Sequence, residues 1–240
     1  MELHNLVNNE RGSGTVIIMV CMVLAAIFLG LLFFDFSNVF INKRVTQTGA
    51  DAAAMAAAKT ANSYMRIDLQ DKTQEALDDL GDRWDDFFQD ALDAFNAGTG
   101  PDPYPIEDLL DDFVTIVENE LGKSMPGDVK AWILNHAESV TAETAMKFFF
   151  NDDEVNEMAC NAVKLHLDEA EQEAEKYALK NQNDKLIEMT FIPEDFRIYV
   201  QTERKGKYTT VSDNMVPAVT SESSAKIGDP KGYKGKISCS

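Results

Sequence analysis

The chain has 240 residues, with 22 Lys and Arg against 41 Asp and Glu, a formal net charge of −19 and a pI near 4.4. That balance excludes sequence-independent binding of DNA or RNA, which needs basic surface to neutralise phosphates, and it points to a solvated, self-repelling surface. The length holds one or two small domains with a core, and the hydrophobic content of 45% is ordinary but unevenly spread.

Residues 1–14 form a short N-terminal arm. From Thr15 to Phe34 the sequence TVIIMVCMVLAAIFLGLLFF carries no charge. At about 1.5 Å per residue it reaches about 30 Å, the thickness of a bilayer's hydrocarbon core. Apolar character on every face over that length predicts a membrane span. A secretory signal has a basic n-region, a shorter apolar core and a small-residue cleavage site close behind. Here the arm MELHNLVNNERGSG carries one Arg and two Glu, and the alanines begin only at Ala50, so the helix is expected to stay in the mature protein. Arg11 before the span and Lys43 and Arg44 after it differ by one charge, too little to set orientation.

Beyond the span, the only helix breaker from Asp35 to about Ala61 is Gly49. One helix is expected to leave the bilayer and continue, so residues 15–61 form a span with an Ala-rich extension. Ala50–Ala58 favours helix strongly. Gln47 and Asp51 stand i, i+4 on one face. A slim, Ala-covered helix is suited to close packing against copies of itself or partner helices. Asp35, Gln47, Ala50, Asp51, Ala54, Met55 and Ala58 are the candidate packing residues.

The ordered pattern RGSGTVIIMV…GLLFFDFSNVFINKRVTQTGADAAAMAAAK, over about residues 10–60, resembles the N-terminal segment of TadE/TadG-like proteins, pseudopilin-like components of the bacterial Tad (Flp) pilus machinery. Arg11-Gly12 stands where that pattern has the end of its arm, and Asp35 where it has an acid at the helix exit. Lys43 and Arg44 match its basic residues, Gln47 its glutamine, and Ala50–Ala58 its alanine block, with Met55 in a leucine's place. Gly12 and Gly14 are the candidate processing positions, although Thr15–Met19 lacks the Glu that follows the cleavage glycine of Flp-type prepilins. The von Willebrand A-type metal motif of longer relatives is not matched, since Asp35-Phe36-Ser37 lacks its second serine. The resemblance implies a single-pass protein of the bacterial inner membrane with its C-terminal part in the periplasm or outside. It also implies other pilus or secretion-system subunits as partners, together with homo-oligomers.

Residues 62–180 read as an acidic helical region. Leu69, Thr73, Leu77, Leu80, Trp84, Phe87, Ala91 and Phe95 make one stripe of an amphipathic helix over Ile67–Asn96. NAGTGPDPYP at 96–105 is a loop. A second helix is predicted over Ile106–Leu121, burying Leu109, Leu110, Phe113, Ile116 and Val117. A third follows over about Val129–Phe150, and a fourth over Asp152–Lys180 with His166 and Tyr177 among its inward residues. After Asn181 the stretches KLIEMTFI, FRIYVQTE, KYTTVS and VPAVTSESSAKI are rich in β-branched and aromatic residues. They predict three or four short antiparallel strands across 181–240, with ERKGK as a hairpin turn. The expected fold is α+β, pilin-like in order: a long N-terminal membrane helix, a helical middle and a small C-terminal antiparallel sheet.

Little in the chain points to catalysis. His4, His136 and His166 fall in no metal-binding spacing, and no P-loop, G-x-S-x-G or G-x-G-x-x-G occurs. The acidic runs lack the alternating calcium-loop pattern. No cofactor, metal or enzymatic activity is expected. Cys160 and Cys239 would form a disulfide outside the cytoplasm, although their spacing does not require it. The leading expectation is a membrane-anchored structural component of a Tad-type pilus or related secretion system with an acidic outer domain. The alternative is a tethered binding or sensor module whose helix is only an anchor.

Overall fold

The computed structural model describes residues 13–100, 105–212, 215–231, 233 and 235–239, with the Ser13 side chain excepted. The architecture is α+β, as expected: a long apolar N-terminal helix, further helices in the middle and a small antiparallel sheet at the end.

Helix α1, Ser13–Asn96, runs 84 residues without a break. No proline occurs before Pro101, so nothing removes a ladder hydrogen bond. The membrane helix and the amphipathic stripe at 67–96 are therefore one element. It ends in a turn at Gly98, whose φ of 67° suits glycine.

Helix α2, Ile106–Leu121, starts behind Pro105, carries Glu107 and Asp108 in its first turn and stops at Gly122 in the left-handed region. The single helix expected over 129–150 is two, α3 (Gly127–Leu134) and α4 (Ala142–Phe149). Polar side chains between them bind backbone and compete with the helix. Asn135 Oδ1 accepts from Ala137 N–H at 3.2 Å, and Thr141 caps α4 by accepting from Thr144 N–H at 3.1 Å. The helix expected over 152–180 is also two, α5 (Asp152–Leu165) and α6 (Leu167–Lys180). Asn151 and Glu154 form a reciprocal capping box at the start of α5. His166 interrupts with φ −111° and ψ 27°, its N–H shared between Ala162 O and Val163 O.

Strands β1 (Lys185–Ile192), β2 (Arg197–Arg204) and β3 (Val219–Lys226) pair in the order β1-β2-β3. The β1–β2 connection is residues 193–196, not ERKGK, and KYTTVS is not a strand. On β2, Ile198, Val200 and Thr202 alternate inward and are fully buried.

The chain divides into two compact units. One takes residues up to Ala54, Ala174–Met189 and Val200–Ser224; the other takes Met55–Glu173, Thr190–Tyr199 and Ala225–Ser240. Within the second, Leu77, Leu80 and Trp84 of α1 pack with Leu110, Phe113 and Val117 of α2 and with Trp132, Ile133 and Phe148. The Trp84 and Phe113 rings meet edge to face at 5.4 Å. Each such side chain contributes about 1.5–3 kcal/mol on leaving water. Ile116, expected inside, is exposed, and Val114 is buried in its place. Likewise Tyr177 and Phe95 point outward. The C-terminal tail is fastened in the same unit. Asn156 exchanges two hydrogen bonds with the Ser238 backbone, at 2.7 and 2.9 Å, and a disulfide joins Cys160 to Cys239 with Cα atoms 5.7 Å apart.

Candidate functional site

The apolar stretch of α1 is not a core helix. Every large apolar side chain from Val16 to Phe34 is at least 40% exposed. It is the one helix among the described residues long and apolar enough to cross a membrane. Exposure on that scale calls for lipid or a partner around it.

Where the helix becomes polar, its side chains turn to the chain's own C-terminal half, all within the first unit. Asp35, the first residue past the span, is buried and holds three donors: Thr209 N–H at 2.7 Å, Thr210 N–H at 2.6 Å and the Thr210 hydroxyl. Two turns on, Asn42 Oδ1 accepts from Arg204 Nε at 3.2 Å. Lys43 Nζ donates to Thr220 O at 2.6 Å and Ser221 Oγ at 3.1 Å. Gln47 Nε2 donates to Asp51 Oδ1 at 2.9 Å and also to Glu222 O at 3.0 Å. The pair one turn apart is thus anchored to β3.

Asn183 occupies the centre. It is buried, and its Nδ2 donates to Thr46 O at 3.1 Å and to Thr202 Oγ1 at 2.7 Å. Gly49 is the helix residue it rests on, and a β-carbon there would collide with the carboxamide. Gly206 makes a similar close approach, where a β-carbon would lie 2.5 Å from Asn42 Nδ2. From Asp35 to Gly49 this polar face spans about 21 Å of helix. Neutral hydrogen bonds of this kind contribute about 0.5–1.5 kcal/mol each, and those to charged groups about twice that.

Gly12 lies outside the described residues, as do Arg11 and His4. Gly14 is exposed, and a β-carbon there would meet nothing within 4 Å beyond the local helix backbone. Ala50, Ala54 and Ala58 are covered by the chain itself, Asp51 is half-buried, and Met55 is 62% exposed. In the first unit α1 fully buries Thr46, Ala50, Ala53 and Ala54, and α6 fully buries Ala174 and Ala178. Asn183, Thr202, Thr209, Thr210 and Gly206 escaped sequence reasoning. The available signal was Gly49, a glycine inside a helix-forming run, which marks close backbone approach.

The arrangement holds elements together, tying the helix exit to the loop at Thr209 and Thr210 and to β3. No group of three or more His, Cys, Asp or Glu among the described residues is set to hold a metal. His136 stacks on Trp132 at 4.4 Å, and His166 stacks on Tyr64 at 4.2 Å with the Asp68 and Glu169 carboxylates 3.5 and 3.6 Å from its ring nitrogens.

Neither the curated proteins nor the solved structures gave a match to the chain. A family model did. Over residues 12–60, about a fifth of its length, this chain is similar to the Flp pilus-assembly TadE/G-like family.

Proposed function

We propose that this protein is a membrane-anchored, pseudopilin-like structural component of a Tad (Flp)-type pilus or related secretion system. The observation that carries the reading is the TadE/G-like match over residues 12–60, which covers the exposed apolar helix and its polar exit. A pilus-related role and a single-pass anchor follow from those two features. The finer reading places the anchor in the inner membrane and the acidic part outside the cytoplasm. The Cys160–Cys239 bond supports that side, because disulfides persist in oxidising compartments. The work is structural, not catalytic. Its partners are other pilus subunits or further copies of this chain, met through the apolar span and the ridge marked by Met55. The hydrogen-bonded exit of α1 carries force and orientation from the span to the sheet.

The test is N-terminal peptide mass spectrometry on two fractions of native cells, membranes and sheared surface filaments. A chain that begins at Ser13 or Thr15 and occurs in filaments is a processed subunit. An intact chain confined to membranes is a fixed assembly component and removes the filament role. A chain whose deletion leaves pilus assembly untouched is the tethered binding module instead.

A further inference from the structure

We propose that the exit of α1 carries a binding site for the headgroup of an anionic phospholipid. A cavity of about 610 Å³ opens beside the helix in the first unit. Arg204, Lys205 and Lys207 line it against a single carboxylate, Asp184. That balance is opposite to the chain's net charge of −19.

Its depth selects the ligand. Phe34, the last residue of the apolar span, lines the cavity, and so does Ile41, about 10 Å further along the helix. The headgroup layer occupies roughly the 5–7 Å beyond the hydrocarbon core. The loop that carries Lys205 and Lys207 is tied to this level, because Thr209 and Thr210 donate to Asp35, one residue past the span. Arg204 is held in place by Asn42 and by Gln182 O at 2.6 Å. Lys205 and Lys207 are exposed and form no ion pair among the described residues. A soluble anion would have no use for Phe34 in the wall; a lipid phosphate with its acyl chains beside the span uses both. Basic residues at a bilayer surface attract anionic lipid by an amount that makes two of them worth roughly tenfold or more in affinity.

The proposal rests on the membrane reading of Thr15–Phe34 and not on the pilus role. The full chain is placed in nanodiscs of phosphatidylcholine with a minor share of phosphatidylglycerol. It is then extracted in mild detergent, and co-purifying lipids are counted by mass spectrometry. Phosphatidylglycerol should be enriched over its share in the disc. Lys205→Gln with Lys207→Gln should cut that enrichment roughly tenfold, whereas Lys59→Gln with Lys164→Gln, an equal charge change on exposed side chains of the second unit, should leave it unchanged. Millimolar inorganic phosphate should not displace the lipid. Equal retention of both lipids, equal loss in both double variants, or displacement by phosphate overturns the proposal. A chain that stays out of the discs overturns the membrane reading as well, whereas pilus loss or retention in cells bears only on the proposed function.

Discussion

Gly49 of α1 faces the carboxamide of Asn183 so closely that a β-carbon at position 49 would lie 2.1 Å from Nδ2. That amide is committed to Thr46 and Thr202. Gly49→Ala gains about 1 kcal/mol of helix propensity, and the collision forces Asn183 off both partners. The net expected effect is a loss of about 1–3 kcal/mol, read by chemical denaturation in detergent. Gly49→Ala combined with Asn183→Ala should recover part of the loss, because the clash disappears with the carboxamide. Additive losses in the double variant would show that the two residues do not meet.

Asp35 gathers three donors from Thr209 and Thr210. Asp35→Ala leaves the Thr209 and Thr210 N–H groups without their acceptor, an expected loss of about 2–4 kcal/mol. Amide exchange at Thr209 and Thr210 should accelerate while the amides of α2 keep their protection. Uniform acceleration across the chain would mean that Asp35 supports the whole fold and not the loop.

Gln47 joins Asp51 and Glu222 through one amide nitrogen. Gln47→Leu keeps the helix and removes both bonds, so about 1–2 kcal/mol should go. Amides of β3 should exchange faster. Unchanged exchange in β3 would rule out the anchor described for this side chain.

The Cys160–Cys239 bond closes a separation of 79 residues. A loop of that size confers roughly 4.5 kcal/mol in the chain-entropy treatment, with about 2–4 kcal/mol usually realised. Cys160→Ser with Cys239→Ser should lower the denaturation midpoint by that much. A peptide map of protein from native cells should show the pair linked without reductant. Two unlinked thiols would place this part of the chain in a reducing compartment.

Phe113 lies in the helical core with Trp84 and Phe87 against its ring. Phe113→Ala should cost about 3–5 kcal/mol and perturb near-ultraviolet circular dichroism. A smaller loss with an intact tryptophan signal would mean that this cluster packs loosely.

Local patterns were legible, and distant contacts were not. The apolar span, the helix over Ile106–Leu121 and the strand texture of KLIEMTFI and FRIYVQTE follow from period and composition. The spacing of Gln47 and Asp51 shows that they can meet; nothing in it shows Glu222 as a third partner 175 residues away. Asn183 and Thr209 look like ordinary loop polar residues, since their meaning comes from the surface they land on. The helix break at Asn135–Thr141 escaped because side-chain caps compete with the helix by geometry, and a hydrophobic count cannot register that. ERKGK resembles a hairpin turn, yet its glycine is used for the close approach to Asn42.

The most direct test is deletion of the gene in the native host followed by electron microscopy of the cell surface. Loss of filaments is expected, with recovery by the full chain and none by a chain in which residues 15–60 are replaced by an unrelated membrane anchor. Wild-type filaments after deletion, or full recovery with the unrelated anchor, would contradict a role in pilus assembly carried by this segment.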